Sequence, residues 1–332
     1  VNSIGVVVIG RNEGNRLKQC LVSIIGKVKT VVYVDSGSTD GSVELARSLA
    51  VNVVELDLSI PFTAARARNA GFEYLLQIEP AIEFVQFVDG DCLIVDGWLE
   101  KAINVLNEKP EIAVVCGRVR EEFPTNSVYN RLCDIEWNTP VGETKACGGI
   151  AMMRVSAFKQ VGGFNPTLIA GEEPELCVRL RQAGGKILRI DAEMTLHDAR
   201  IMHFSQWWKR SIRNGHAYAE GAWLHGKPPE KHWVKESRRI CFWGFILPFL
   251  AVASAWLTKG ISIILLLLAY GILFFRVYRY AKTKQTPSSD ALFYGLFCVL
   301  DKFPGFIGQI QFHLSRLLKR KPTIVEYKGV VS

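Results

Sequence analysis

The chain has 332 residues, a net charge of +8 and 49% hydrophobic residues, which excludes a disordered protein and allows one large domain plus an appendage. Its eight cysteines, at positions 20, 92, 116, 133, 147, 177, 241 and 298, form no Cys-x-x-Cys pair and no zinc spacing, so they read as reduced thiols filling a core in the cytosol. The basic residues gather around apolar segments in the last third, with no RNA-binding or zinc-finger signature; a membrane surface is the expected partner and nucleic acid is not.

Ile4 to Ile9 is too short for a helix and continuous enough for a strand buried on both faces, with no charged leader before it. After Gly10-Arg11-Asn12-Glu13-Gly14, the spacing of Leu17, Cys20, Leu21, Ile24 and Ile25 predicts one face of a helix. The unit repeats. Thr30 to Val34 is a strand, Asp35 to Gly41 a polar loop, and Val43 to Leu49 a helix; Val51 to Leu56 and Thr63 to Ile78 are the next strand and helix, and Ile82 to Val88 a fourth strand. Strands and helices alternating at these lengths predict an α/β protein with a doubly wound, mostly parallel, Rossmann-like sheet and right-handed crossovers.

The fourth strand stops at Asp89-Gly90-Asp91. Open α/β sheets bind ligands beyond the carboxyl ends of their strands, where two carboxylates around a sharp turn can hold Mg²⁺ or Mn²⁺ against a diphosphate. The alternative is an ordinary solvated Asp-Gly turn. Gly97 to Leu106 then reads as helix and Ile112 to Val119 as strand, while residues 121 to 145, with Pro124, Pro140 and Gly142, read as a loop or lid. Cys147 to Met153 is strand-like, Val155 to Val161 and Glu173 to Ala183 helical, and Lys186 to Ile190 a last strand.

Composition changes near residue 235. Ile240 to Leu257 is eighteen residues without a charge and Ile261 to Phe275 fifteen more, parted by Thr258-Lys259-Gly260, which fits two antiparallel membrane spans. Lys231, Lys235, Arg238 and Arg239 precede this hairpin and Arg276, Arg279, Lys282 and Lys284 follow it, against Lys259 alone at the tip. By the positive-inside rule this predicts a multi-pass protein of the cytoplasmic membrane, with both hairpin ends and the amino-terminal domain in the cytosol. Phe306, Ile307, Ile310, Leu314, Leu317 and Leu318 among polar residues predict an amphipathic helix lying in the interface. The expected division is a catalytic domain over 1–235 (a nucleotide-sugar half to about 120, an acceptor half after it), the hairpin over 236–285, and the interfacial helix and tail over 286–332.

Ile9-Gly10-Arg11-Asn12-Glu13, Val34-Asp35-Ser36-Gly37-Ser38-Thr39-Asp40, Ala67-Arg68-Asn69-Ala70-Gly71 and Val88-Asp89-Gly90-Asp91, in this order and spacing, resemble family 2 glycosyltransferases of the GT-A fold over roughly residues 3 to 200. The resemblance implies that Gly10, Arg11, Asn12, Glu13 and Asp35 hold the base and ribose of a nucleotide sugar, a UDP-sugar first of all. Arg68 and Asn69 would meet its phosphates or an acid of the cleft, and Asp89, Gly90 and Asp91 would carry the metal and diphosphate. Gly171-Glu172-Glu173 falls where the family has Gly-Glu-Asp, which implies Glu173 as the base that deprotonates the acceptor, with Glu172 as the substitute. His197 is a further metal candidate. Phe204-Ser205-Gln206-Trp207-Trp208-Lys209-Arg210 looks like a reordered form of the Gln-x-x-Arg-Trp motif of membrane-bound relatives, which implies Gln206, Trp207, Trp208 and Arg210 at the acceptor or diphosphate.

The expected activity is therefore a metal-dependent, inverting transfer to a membrane-associated acceptor, such as a polyprenyl-diphosphate saccharide of surface polysaccharide synthesis. A bare polyprenyl phosphate is the close variant, and a non-catalytic membrane scaffold that binds saccharide is the alternative of another class. A sugar-phosphate nucleotidyltransferase would open with a more glycine-rich loop than Gly10 to Gly14.

Overall fold

The computed structural model describes residues 3–319; residues 320–332 of the expected tail lie outside them. Contacts divide the chain into two compact units, Val1–Glu122 with Trp137–Ala199, and Phe123–Glu136 with Arg200–Ser332.

The first unit is built on strands β1 (Ile4–Gly10), β2 (Thr30–Asp35), β3 (Asn52–Glu55), β4 (Phe84–Asp89), β5 (Cys92–Ile94), β6 (Ile112–Glu121), β7 (Gly142–Glu143), β8 (Ala151–Arg154) and β9 (Lys186–His197). Among the described residues they form one sheet in the order β3-β2-β1-β4-β8-β6-β9-β5, with β7 beside β9. Strands β3, β2, β1 and β4 run parallel, joined through α1 (Asn15–Val22), α2 (Ser42–Ser48) and α3 (Ala64–Ile78) as the alternation predicts. The other half is mixed. Strand β8 is antiparallel to both β4 and β6, β5 and β7 are antiparallel to β9, and β6 and β9 are parallel. An apolar run encodes burial on two faces, not strand direction, so this mixture was not readable from the runs.

Two further differences have local causes. Residues 121 to 145 are not one irregular loop: α5 (Val128–Trp137) fills the interval between Pro124 and Pro140, burying Asn130, Leu132 and Cys133, and β7 follows. The last strand continues to His197 because the alternation of β9 carries on past Ile190, with Ala192, Met194 and Thr195 buried. Helix α3 starts on Thr63, whose hydroxyl accepts the Arg66 N–H at 3.1 Å. It lies close on the sheet because residue 71 is glycine: a Cβ there would come within 2.5 Å of Val7 Cγ1. The remaining helices of this unit are α4 (Trp98–Glu108), α6 (Val155–Gln160) and α7 (Glu172–Gln182).

The second unit is helical and takes in all of α5 but Trp137, together with α8 (Phe204–His225), α9 (Val234–Cys241), a π turn over Phe242–Ile246, α10 (Leu247–Ala253), α11 (Ile261–Thr283), α12 (Ser288–Leu300) and α13 (Lys302–Leu317). Helices α8 and α13 cross closely because they meet at glycines. A Cβ on Gly215 would fall 2.0 Å from the Gly305 carbonyl, and one on Gly308 2.0 Å from that of Ile212. The hairpin around Lys259 is present, with Ser262 donating to the Ala251 carbonyl at 2.7 Å and Tyr270 to that of Trp243 at 2.6 Å. Its first arm is not the unbroken span that the charge-free run suggests. The π turn interrupts it and it ends at Ala253. Among the described residues, the helices long and apolar enough to cross a membrane are instead Ile261–Thr283 and the continuous stretch Ser288–Leu317. The apolar face of α13 read from the sequence is exposed at Ile307, Ile310, Leu314 and Leu317, while its small residues face α8.

Candidate active site

The parallel half fixes the site's frame. Its register sets Asp35 beside Gly10 and Asp89 beside Ile9, so the Gly10–Gly14 loop emerges between two strand-end acids. Asn12, with φ of 56°, donates its N–H to Ser38 Oγ at 2.9 Å and accepts the Thr39 N–H on Oδ1 at 2.8 Å, tying the first loop to the second. Asp35 is 3% exposed. Its Oδ1 accepts from the Tyr33 hydroxyl at 2.8 Å and its Oδ2 from the N–H groups of Gly37 and Ser38 at 2.8 and 2.7 Å. Burial and the Asp35 charge push the Tyr33 phenol well up, so it stays a donor. Arg11 lies over the Phe62 ring at 4.6 Å, and Glu13 pairs with Arg16 at 2.5 Å. At the third loop the Gly90 N–H returns to the Ile9 carbonyl at 2.8 Å, and a Cβ on Gly90 would sit 3.2 Å from that same oxygen.

Arg68 is the buried cation of the site, 3% exposed, donating to Asp89 Oδ1 and to Glu172 Oε1, both at 2.8 Å. Burial by itself would lower its pKa, but the Asp89 and Glu172 carboxylates raise it and keep the guanidinium charged. Its Nε has no hydrogen-bond partner among the described residues. Asn69, expected to face the donor, is committed elsewhere: its amide donates to the Phe164 carbonyl at 2.8 Å and accepts the Phe164 N–H at 2.9 Å. That makes it a tie between α3 and the loop before α7.

Asp91 and His197 come together because β5 pairs with the end of β9, and a carboxylate oxygen of Asp91 lies 3.4 Å from His197 Nε2. Together with Cys92 they form a group whose ligand atoms all fall within 4.8 Å of one another. The Trp137 ring stacks on His197 with centroids 4.7 Å apart and planes 2° from parallel. Sequence reasoning missed Trp137 because it was placed inside a presumed loop. Close by, burial and the Asp198 charge raise the Glu122 carboxyl above its usual range.

The two acids that open α7 part company. Glu172 goes to Arg68. Glu173, 5% exposed, turns the other way and takes two donors on Oε1, the Cys147 N–H at 2.5 Å and the Cys177 thiol at 2.9 Å. These cysteines, read from the sequence as core filler, are its neighbours. The reordered motif lies in the second unit. Gln206 Oε1 caps α8 by accepting the N–H groups of Met202 and His203 at 2.8 and 3.0 Å. Trp207 is buried against Phe297 and stands 6.4 Å, centroid to centroid, from Trp208, and Arg210 pairs with Glu136 at 2.9 Å.

A family model described as "Glycosyl transferase family 2" matches residues 5–162, and one described as "N-terminal domain of galactosyltransferase" matches residues 133–204. Glycosyltransferase AglE of Haloferax volcanii is 26% identical over 225 residues, which are 64% of this chain and 71% of AglE. Succinoglycan biosynthesis protein ExoA of Rhizobium meliloti is 27% identical over 190 residues, which are 54% of this chain and 57% of ExoA. Among solved structures, mannosyltransferase PcManGT from Pyrobaculum calidifontis, in complex with GDP-Man and Mn²⁺, matches with a TM-score of 0.62 over 93% of this chain and 87% of that one. At 18% identity that likeness is one of fold.

Proposed function

The chain belongs to glycosyl transferase family 2, and from that premise we propose that it is a metal-dependent, inverting enzyme moving a sugar from a nucleoside-diphosphate sugar to a lipid-linked saccharide. The observation that carries the reading is the strand-end register that sets Asp35 and Asp89 on either side of the Gly10–Gly14 loop, with Asp91 following in the same turn and brought to His197 by the pairing of β5 with β9. Asp35, fixed by three donors, and the Asn12–Ser38 tie would receive the nucleoside, with Arg11 beside them.

The donor set fits a divalent cation. Asp91 and His197 already stand 3.4 Å apart, the Asp89 carboxylate two residues earlier, held by Arg68 through Oδ1, is the proposed second oxygen donor, and the imidazole favours Mn²⁺ over all-oxygen Mg²⁺. A cation there would supply positive charge for the departing diphosphate. Arg68 holds the Asp89 carboxylate at the end of β4 and so positions one oxygen donor of the proposed cation site.

Glu173 is the proposed base. A proton arriving on Glu172 would break its ion pair with Arg68, whereas Glu173 Oε2 is in no hydrogen bond among the described residues and can accept one. The motif resemblance alone assigns Gln206, Trp207, Trp208 and Arg210 to the acceptor.

The lipid-linked acceptor is supported by the exposed apolar helices of the second unit and by α9. Lys231, Lys235, Arg238 and Arg239 line one groove with Val234 and Phe242, and none of the four is in an ion pair among the described residues. Such a face suits an anionic membrane surface, and the positive-inside pattern supports a catalytic unit that faces the cytosol. The test is release of nucleoside diphosphate from a panel of sugar donors by purified protein in Mn²⁺ or Mg²⁺. One donor should be hydrolysed slowly alone and faster with a lipid-linked saccharide. No turnover of any donor, with or without acceptor, would contradict the reading.

A further inference from the structure

Beside the proposed base stands a cluster to which the proposed function has so far given no part. Glu173, Cys147 and Cys177 are all buried, and their ligand atoms lie within 4.8 Å of one another. Glu173 Oε1 takes the Cys147 N–H and the Cys177 thiol, and the two sulfurs are 3.8 Å apart. Helix geometry sets this up: Cys177 is four residues after Glu173 on α7, so both project from one face of the helix. Cys147 arrives on the irregular segment between β7 and β8, where Gly148 and Gly149 both have positive φ, so the strand expected from Cys147 starts only at Ala151.

A glutamate has one more rotatable bond than the aspartate that the family motif carries here, so its carboxylate has more positions open to it. Something must select one. We propose that Cys177 is a positioning residue of the transfer reaction: its thiol, with the Cys147 N–H, pins Oε1 of Glu173 so that Oε2 is the oxygen offered to the acceptor hydroxyl. The proposal rests on Glu173 being the base.

The thiol is fitted to this task. Burial first, then the neighbouring Cys147 and Glu173, hold the Cys177 pKa well above the ordinary thiol value, so it keeps its proton and donates throughout the physiological range. A serine would donate in the same direction; an alanine or valine would not. Misplacing a reacting group by about 1 Å can cost roughly a hundredfold in rate, so removing the pin should be felt in chemistry before it is felt in binding.

The experiment measures single-turnover transfer, donor Kd and thermal melting on Cys177→Ser, Cys177→Ala and the volume-filling Cys177→Val, with Glu173→Gln alongside. Ala and Val should each lower the single-turnover rate about ten- to a hundredfold with donor Kd within about twofold, and Ser should recover most of the loss. Wild-type rates in Ala and Val would overturn the positioning role while leaving Glu173 as base. Equal losses in Ser, Ala and Val would overturn it in favour of a packing role. A fully active Glu173→Gln protein would remove the premise, and the proposal with it.

Discussion

Strand β1 and helix α11 are both strongly apolar, and they meet opposite surroundings. In β1, Ile4, Val6, Val7 and Val8 are 0% exposed, sealed between neighbouring strands and helices. In α11, Ile264, Leu265, Leu267 and Leu268 are 58 to 65% exposed. Charge divides the same way. Arg68, Asp89 and Glu172 answer one another inside the first unit, whereas the four cations around α9 have no acidic partner among the described residues. The first unit thus buries its apolar residues among its own strands and helices and pairs its inner charges, whereas the second leaves apolar faces and those unpaired cations exposed, the surface that the proposed membrane association would cover.

The hardest way to break that contrast is at the base. Glu173→Gln keeps the two hydrogen bonds on Oε1 possible but removes the proton acceptor, so single-turnover transfer should fall by roughly two to four orders of magnitude with donor Kd little changed. Glu172→Gln is the control; if it alone abolishes transfer, the base has been assigned one residue too late. Next in size is the buried ion network. Arg68→Met leaves two acids facing each other without their cation, and chemical denaturation should show a loss of about 3–5 kcal/mol. A neutral result would mean that water already reaches these groups.

How much of this was legible follows from what each residue type encodes. The βα repeat and the strand-end acids could be read because apolar period and Asp-Gly turns are local signals, and Asp35, Asp89 and Asp91 stand at the ends of strands as read. The Trp137 stack on His197 and the cysteines around Glu173 could not, since each joins residues distant in sequence: 60 positions separate His197 from Trp137. Asn69 shows the reverse error. An amide in a motif suggests a ligand, yet both of its ends satisfy the Phe164 backbone. In the second unit, a charge-free run gives length but not helix continuity, so the π turn after α9 stayed hidden.

Topology sharpens the other side of the contrast. A cysteine replacing Lys259 should react with an impermeant thiol reagent from outside intact cells, and one replacing Lys284 only after permeabilisation. The opposite pattern would put the catalytic unit on the wrong side for a cytosolic donor.

The smallest effect concerns a buried pair on α8. His216 and Glu220 lie 3.6 Å apart with neither His216 nitrogen hydrogen-bonded, and burial lowers the His216 pKa to about 4 and raises that of Glu220 from 4.5 to about 7. Glu220 folds at no electrostatic cost below its unfolded value. As pH rises through 4.5 toward 7 the unfolded chain releases this proton and the folded one does not, so stability is lost across that window. Glu220→Gln should therefore melt higher than wild type at pH 8, by about 1–3 kcal/mol in stability, and about equally at pH 4.5. An equal gain at both values would assign the effect to packing instead of charge.

The central claim is that the strand-end acids of the first unit assemble a metal-dependent nucleotide-sugar site, and donor binding titrated with Mn²⁺ tests it most directly. Wild-type protein should bind its nucleoside-diphosphate sugar tightly in Mn²⁺ and at least about tenfold more weakly in excess chelator, and Asp91→Asn should bind weakly in both while still folding. Equal donor affinity in Mn²⁺ and in chelator, or an Asp91→Asn protein with the wild-type response to Mn²⁺, would contradict the account.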